Sequence, residues 1–213
     1  MRFVGFQRRA RVGRRLGDRA RYWRAAVKVV IESYLTEPKL AAALRQLVGD
    51  AWAGGQVALP GSRRRFDMAF RSGDTTVLVE YDGDEHYRDS LKIMADRQKD
   101  ALAAANGMRV VRVPYWVQLN RVTARHWFGL EAEIEQSFPH GFITTKLFPA
   151  SFCELGVARF RRDLDSLPAA VREAVVDSLR QRVAEYGIEY VLPTELRDLV
   201  TPERGAAVDR PRH

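Results

Sequence analysis

The sequence contains a single cysteine, Cys153, among its 213 residues. No internal disulfide can form, and a zinc site built from several cysteines is excluded. The start of the chain also lacks the apolar core of a secretory signal peptide, because arginine dominates it. These absences predict a protein of the reducing cytoplasm.

Long apolar runs are absent as well. Nowhere does the sequence approach the roughly 20 consecutive apolar residues that span a bilayer, so we expect no membrane partner. Hydrophobic residues nevertheless make up 46% of the chain, which is enough to bury a core and argues against global disorder. The length predicts one domain, or one domain with a small appendage.

Acidic residues are nearly missing from the first 28 positions. This segment holds ten basic side chains and one acid, a charge of +9, whereas the rest of the chain has 25 basic against 26 acidic side chains. A cationic arm of this kind binds phosphate backbones without reading sequence. We therefore predict that the protein is associated with the nucleoid and that the arm contacts DNA through Arg8, Arg9, Arg11, Arg14 and Arg15. A solvated tail, a wrongly assigned translation start and an organellar targeting peptide are alternatives, and the lack of serine disfavours the last.

The middle of the chain predicts an α/β (α+β) core with the element order αβββαβ. Apolar spacing predicts a helix over residues 25–48 that breaks near Pro38. Three strands, a helix and a fourth strand should follow, at 56–59, 65–70, 75–81, 89–106 and 108–113. The first three strands can form an antiparallel meander, and the helical crossover predicts that the fourth is parallel to one of them.

Beyond residue 120 the pattern becomes helical. Helices are predicted over residues 122–138 and 168–186, and the segment 142–156 between them is irregular and rich in aromatic residues. The chain is therefore divided into a basic arm, an α/β core, a helical appendage and a tail. Their predicted limits are 1–28, 29–120, 121–200 and 201–213.

Carboxylates concentrate on two of the predicted strands. Asp67 lies on one strand, Glu80 and Asp82 lie on the next, and His86 follows closely. Strand side chains alternate between faces, so Glu80 and Asp82 share a face, which a paired Asp67 would join. Two such charges about 4 Å apart repel by roughly 4 kcal/mol at an effective dielectric near 20. A divalent cation, Mg²⁺ or alternatively Mn²⁺, would relieve the repulsion. The alternative interpretation is an ordinary hairpin whose polar residues lie on its solvent-exposed face.

Short motifs follow Asp67 in a fixed order. They are Val-Glu-Tyr-Asp-Gly-Asp-Glu-His at 79–86, Asp-Arg at 96–97 and Gly-Met-Arg-Val at 107–110. This order resembles the PD-(D/E)xK restriction-endonuclease-like superfamily, and most closely its very-short-patch-repair-endonuclease-like branch, which includes bacterial proteins of unassigned function. The likeness covers roughly residues 34–118. It lies in the order and spacing of the elements, since no single element is specific.

The resemblance implies catalytic roles for six residues: Asp67, Glu80, Asp82, His86, Asp96 and Glu37. The first three would also hold the metal, and the last two would orient its surroundings. Asp82 stands where the wider superfamily has lysine, so His86 is expected to assist proton transfer or to steady a phosphate. Glu32 is an alternative to Glu37 as the acid on the first helix. Glu37 and Asp96 could also be ordinary solvated charges on their helices.

We therefore predict a Mg²⁺-dependent endodeoxyribonuclease, a hydrolase that cuts phosphodiester bonds of DNA in repair, mobility or defence. Two alternatives stay open. One is a nuclease-like module that binds nucleic acid or another partner without cutting it. The other is an RNA-processing nuclease that uses the same chemistry.

Overall fold

The computed structural model describes residues 28–201 of the chain. The arginines predicted to contact DNA, Arg8, Arg9, Arg11, Arg14 and Arg15, lie outside the described residues, as does the tail after residue 201. The described residues form a mixed α/β structure. None of the helices found between residues 28 and 201 is both long enough and apolar enough to cross a bilayer.

Six strands between residues 28 and 201 form two sheets. Their bounds are β1 Lys28–Ile31, β2 Trp52–Ala58, β3 Arg65–Ser72, β4 Thr75–Asp82, β5 Arg109–Pro114 and β6 Glu133–Gln136. The main sheet has the order β2-β3-β4-β5. Its first three strands are antiparallel and β5 is parallel to β4, which confirms the predicted meander and crossover. In β4, Val77, Leu78 and Val79 are fully inaccessible, as expected for an interior strand.

Helices precede, interrupt and follow this sheet along the chain. Their bounds are α1 Glu37–Val48, α2 Glu85–Arg88, α3 Ser90–Ala105, α4 Arg121–Phe128, α5 Glu154–Asp165, α6 Ala169–Tyr186 and α7 Ile188–Val191. Short 3-10 turns occur at Gly49–Ala51, Thr145–Leu147, Pro149–Ser151 and Thr194–Leu199. Asp89 begins α3 by accepting hydrogen bonds from the backbone N–H groups of Leu91 and Lys92.

Two predicted helices were too long, because their ends form a second, two-stranded parallel sheet. Residues 28–31, predicted to be helical, form β1, in which the β-branched residues Val29 and Ile31 are buried and their neighbours are exposed. The predicted helix 122–138 ends as α4 at Phe128, where Gly129 adopts a left-handed conformation (φ 69°). Residues 133–136 then form β6 beside β1. The first strand of the main sheet also begins earlier than predicted, at Trp52.

The C-terminal helices share a hydrophobic core with the sheet. The predicted helix 168–186 is confirmed as α6, whereas α5 was not predicted. Phe160 of α5 is fully buried and belongs to the same cluster of buried side chains as Leu44 of α1 and Val79 of β4. Because α5 packs against the core in this way, its side chains can reach the site described next.

Candidate functional site

An open pocket of about 460 Å³ lies where α1, the main sheet and α3 meet. Among the acids that line it are Glu37 from the first turn of α1, Asp67 from β3 and Glu80 from β4. Lys99 of α3, which was not predicted, lines the same pocket. Five of the six predicted site residues therefore line one pocket: Glu37, Asp67, Glu80, His86 and Asp96. Glu32, the rival of Glu37, instead lines a separate groove beside β1.

The pairing of β3 with β4 sets the positions of Asp67 and Glu80. The antiparallel register aligns Met68 with Val79, so Asp67 comes opposite Glu80 and the two side chains share a face. The Asp67 backbone N–H donates to Oε1 of Glu80 (3.1 Å), and the Tyr81 N–H donates to Oδ2 of Asp67 (2.8 Å). Within the described chain no hydrogen bond uses the second oxygen of either carboxylate, so each retains an oxygen for a ligand.

Burial, together with neighbouring negative charge, raises the pKa values of two acids in this pocket. Burial raises the pKa of Glu80 from 4.5 to about 7, and the charge of Asp67 adds to the rise although Lys99 opposes it. The pKa of Glu37 is raised too, first by burial and then by Asp67. The pocket therefore accommodates its full negative charge poorly, and a bound cation would relieve that cost.

Lys99 partly offsets this charge. Its Nζ lies 2.6 Å from Oε1 of Glu80 and 4.2 Å from the centre of the Phe66 ring, and its side chain is 13% exposed. The sequence did contain a signal for it, because Lys92, Asp96 and Lys99 recur at positions that share one helical face. All three line the pocket. The ammonium group of Lys99 therefore lies beside the acids, although Asp82 occupies the strand position at which the wider superfamily has lysine.

Asp82 is not part of the open pocket. Its carboxylate is fully buried, accepts a hydrogen bond from Nη1 of Arg112 (2.8 Å) and is paired with Arg159. Burial raises the pKa of Asp82, while the charges of the two guanidinium groups pull it down. The structure therefore brings together two of the three predicted metal ligands, Asp67 and Glu80, and directs the third towards arginines.

His86 and Asp96 lie between the pocket and these arginines. Nδ1 of His86 is 2.6 Å from Oδ2 of Asp96 and 3.4 Å from Oδ1 of Asp82. Burial would raise the pKa of Asp96, but the hydrogen bond from His86 and the charge of Arg112 hold it well below its usual value. Both residues line the pocket, as predicted for site residues.

Asp82, His86 and Asp96 could hold a metal ion, since one ligand atom from each lies within 4.8 Å of the others. The arrangement does not select a particular metal. Two guanidinium groups already pair with both carboxylates there, because Arg159 and Arg112 also approach Asp96, at 2.9 and 3.3 Å, although Arg159 also pairs with Asp163 and Arg112 with Asp100. The demand for a further cation is therefore weaker in this buried charge network (Asp82, His86, Asp96, Arg112 and Arg159) than in the open pocket.

Residues 37–114 follow the expected order of helix, three strands, helices and strand. Comparison of the chain with protein-family models, curated proteins and solved structures found no match. The likeness to restriction endonucleases therefore remains a prediction from sequence motifs, and a functional proposal depends on the chemistry of the pocket.

Proposed function

We propose that the protein is a metal-dependent phosphodiesterase that hydrolyses DNA as an endonuclease. The observation that carries the proposal is the pocket that Glu37, Asp67 and Glu80 line together with Lys99. Burial and the neighbouring charge of Asp67 raise the pKa values of Glu37 and Glu80, so it is costly to keep these acids ionised together. Their arrangement around an accessible pocket is explained if a cation and an anionic substrate neutralise one another there.

The donor set fits a hard divalent cation, because it consists of carboxylate oxygens. Asp67 and Glu80 would each supply the oxygen that is free of hydrogen bonds, and Glu37 would supply a third ligand in place of Asp82. A divalent cation bound there supplies Lewis acidity towards the phosphate and lowers the pKa of water. Mg²⁺ is the first choice and Mn²⁺ the alternative.

The chain's own residues would then orient the substrate and move protons. Lys99 places a positive charge at the edge of the carboxylates, where it can balance charge that develops on a phosphate. With Nδ1 of His86 bound to Asp96, Nε2 is the nitrogen left to accept or donate a proton in the pocket. The basic arm would add affinity for the backbone of DNA.

The choice of DNA over RNA rests on the resemblance noted above. The resemblance implies that the strand acids and the first-helix acid act together, and Asp67, Glu80 and Glu37 line one pocket, which supports the proposal. The two alternatives make different predictions. An RNA-processing enzyme would cut RNA in preference, and a binding module would retain nucleic acid without cutting it.

The direct test is to incubate purified protein with supercoiled plasmid in Mg²⁺ or in chelator, with RNA of equal mass in parallel. We expect the plasmid to be nicked in Mg²⁺ and not in chelator. The nicking rate of Asp67→Asn should be lower than that of the parent protein by about 10²–10³-fold. Asp74→Asn is the matched control, because Asp74 is an exposed acid at the other end of the same hairpin. Cleavage of RNA alone, or binding without nicking by the parent protein, would replace this proposal with the corresponding alternative.

A further inference from the structure

Helix α5 presses directly against the short helix that carries His86. The backbone of Gly156 approaches Tyr87 so closely that a Cβ at this position would lie 1.7 Å from the Tyr87 carbonyl oxygen. The same carbonyl accepts a hydrogen bond from the backbone N–H of Cys153 (3.1 Å). The start of α5 is therefore fixed against the residue that follows His86.

The side chain of Tyr87 strengthens this contact. Its hydroxyl donates to Oδ2 of Asp163 near the end of α5 (3.0 Å), and its ring stacks on Phe152 at 5.0 Å between centroids. The guanidinium of Arg159 lies 5.0 Å from the centre of the same ring. Tyr87 is fully buried, so these contacts leave α2 little freedom to shift relative to α5.

Arg159 extends from α5 to both sides of His86. Its Nη1 donates to the His86 carbonyl oxygen (3.1 Å) and to Oδ2 of Asp96 (2.9 Å), the same oxygen that lies 2.6 Å from Nδ1 of His86. Its Nη2 contacts Asp82. One planar side chain thus holds the backbone of His86 and the carboxylate that orients its ring, and it is only 3% exposed.

We propose that Arg159 is a positioning residue for the reaction in the open pocket, and that it acts through His86. By fixing Asp96 and the His86 backbone together, it keeps Nδ1 protonated towards Asp96 and Nε2 turned towards the pocket. The C-terminal helical segment is then part of the catalytic apparatus, because it supplies this arginine. The inference rests on the proposed function, in which His86 assists proton transfer.

A double-mutant cycle distinguishes positioning from a general effect on folding. Arg159→Met keeps an apolar side chain over Tyr87 and removes the guanidinium group. We expect kcat for plasmid nicking to fall by about 10–100-fold with KM unchanged. Arg159→Lys should recover part of the loss. In a His86→Ala background, Arg159→Met should cause little further loss. If the two losses multiply instead, Arg159 does not act through His86 and the inference is wrong.

Arg161→Met is the matched control, because Arg161 lies on the same helix and pairs with Asp198 away from the pocket. It should leave kcat unchanged, and a loss equal to that of Arg159→Met would contradict a specific role.

The ¹⁵N shifts of the His86 ring give a readout that needs no cleavage. We expect a single tautomer with the proton on Nδ1 in the parent protein and a mixture of ring states in Arg159→Met. If the shifts are the same in both, the inference fails even if the enzyme cuts DNA. If the shifts change as expected but the parent protein cuts nothing, the proposed function fails and the positioning contact stands.

Discussion

Glu80 and Asp82 lie two residues apart on β4, yet Glu80 faces an open pocket and Asp82 is buried beside two arginines. Within residues 28–201, Glu80 forms an ion pair with one cation, Lys99, and faces the like charge of Asp67. Asp82 pairs with two arginines, Arg112 and Arg159. The difference shows that alternation along a strand determines which way a carboxylate points, whereas the helices and strands packed around it determine whether its charge is already balanced.

This contrast assigns different tasks to the two regions. The open pocket is lined by more acids than lysines, so negative charge remains to attract a cation; the acids are Glu37, Asp67, Glu80, Asp84, Glu85 and Asp96, and the lysines are Lys92 and Lys99. In the buried charge network both arginines pair with both carboxylates, which makes the network suited to hold His86 in place. The first region should therefore respond to metal, and the second should respond to loss of any one of its partners.

The largest expected effect concerns stability. Asp82→Asn leaves two buried guanidinium groups short of a countercharge, and we expect the free energy of unfolding in urea to fall by about 3–5 kcal/mol. Asp67→Asn should not destabilise the metal-free protein, since it relieves repulsion with Glu80 and Glu37. If both substitutions cost the same, the distinction between a charge-balanced network and a charged pocket is wrong.

A smaller effect should appear as a pH dependence. The pKa of Glu80 is raised from 4.5 to about 7 when the protein folds, so the native state binds this proton more tightly than the unfolded state. The resulting stabilisation is complete below pH 4.5 and is lost as the pH rises towards and through 7, by up to about 3 kcal/mol. Glu80→Gln should remove this part of the pH dependence in metal-free urea titrations. An unchanged pH profile would show that Glu80 ionises normally in the native pocket.

Local sequence patterns were sufficient to predict part of this arrangement. Alternation and a short hairpin place Asp67 opposite Glu80, and both depend on neighbouring residues only. Arg159 could not be found in this way, because it is 77 residues from Asp82 and approaches it only after α5 packs onto the core. Strands β1 and β6 were missed for a similar reason, since each has four residues and they pair across a separation of about 100 positions, with no local signal of the partner.

Binding of Mn²⁺, followed by the loss of the free-ion signal in electron paramagnetic resonance, tests most directly where a cation binds. The parent protein and three variants would be titrated: Asp67→Asn in the pocket, His86→Ala in the buried charge network, and Asp74→Asn as the exposed control. We expect Asp67→Asn to weaken binding by at least about tenfold, whereas His86→Ala and Asp74→Asn should bind as the parent does. If His86→Ala loses the ion and Asp67→Asn retains it, the cation belongs to Asp82, His86 and Asp96, and the open pocket is not the metal centre.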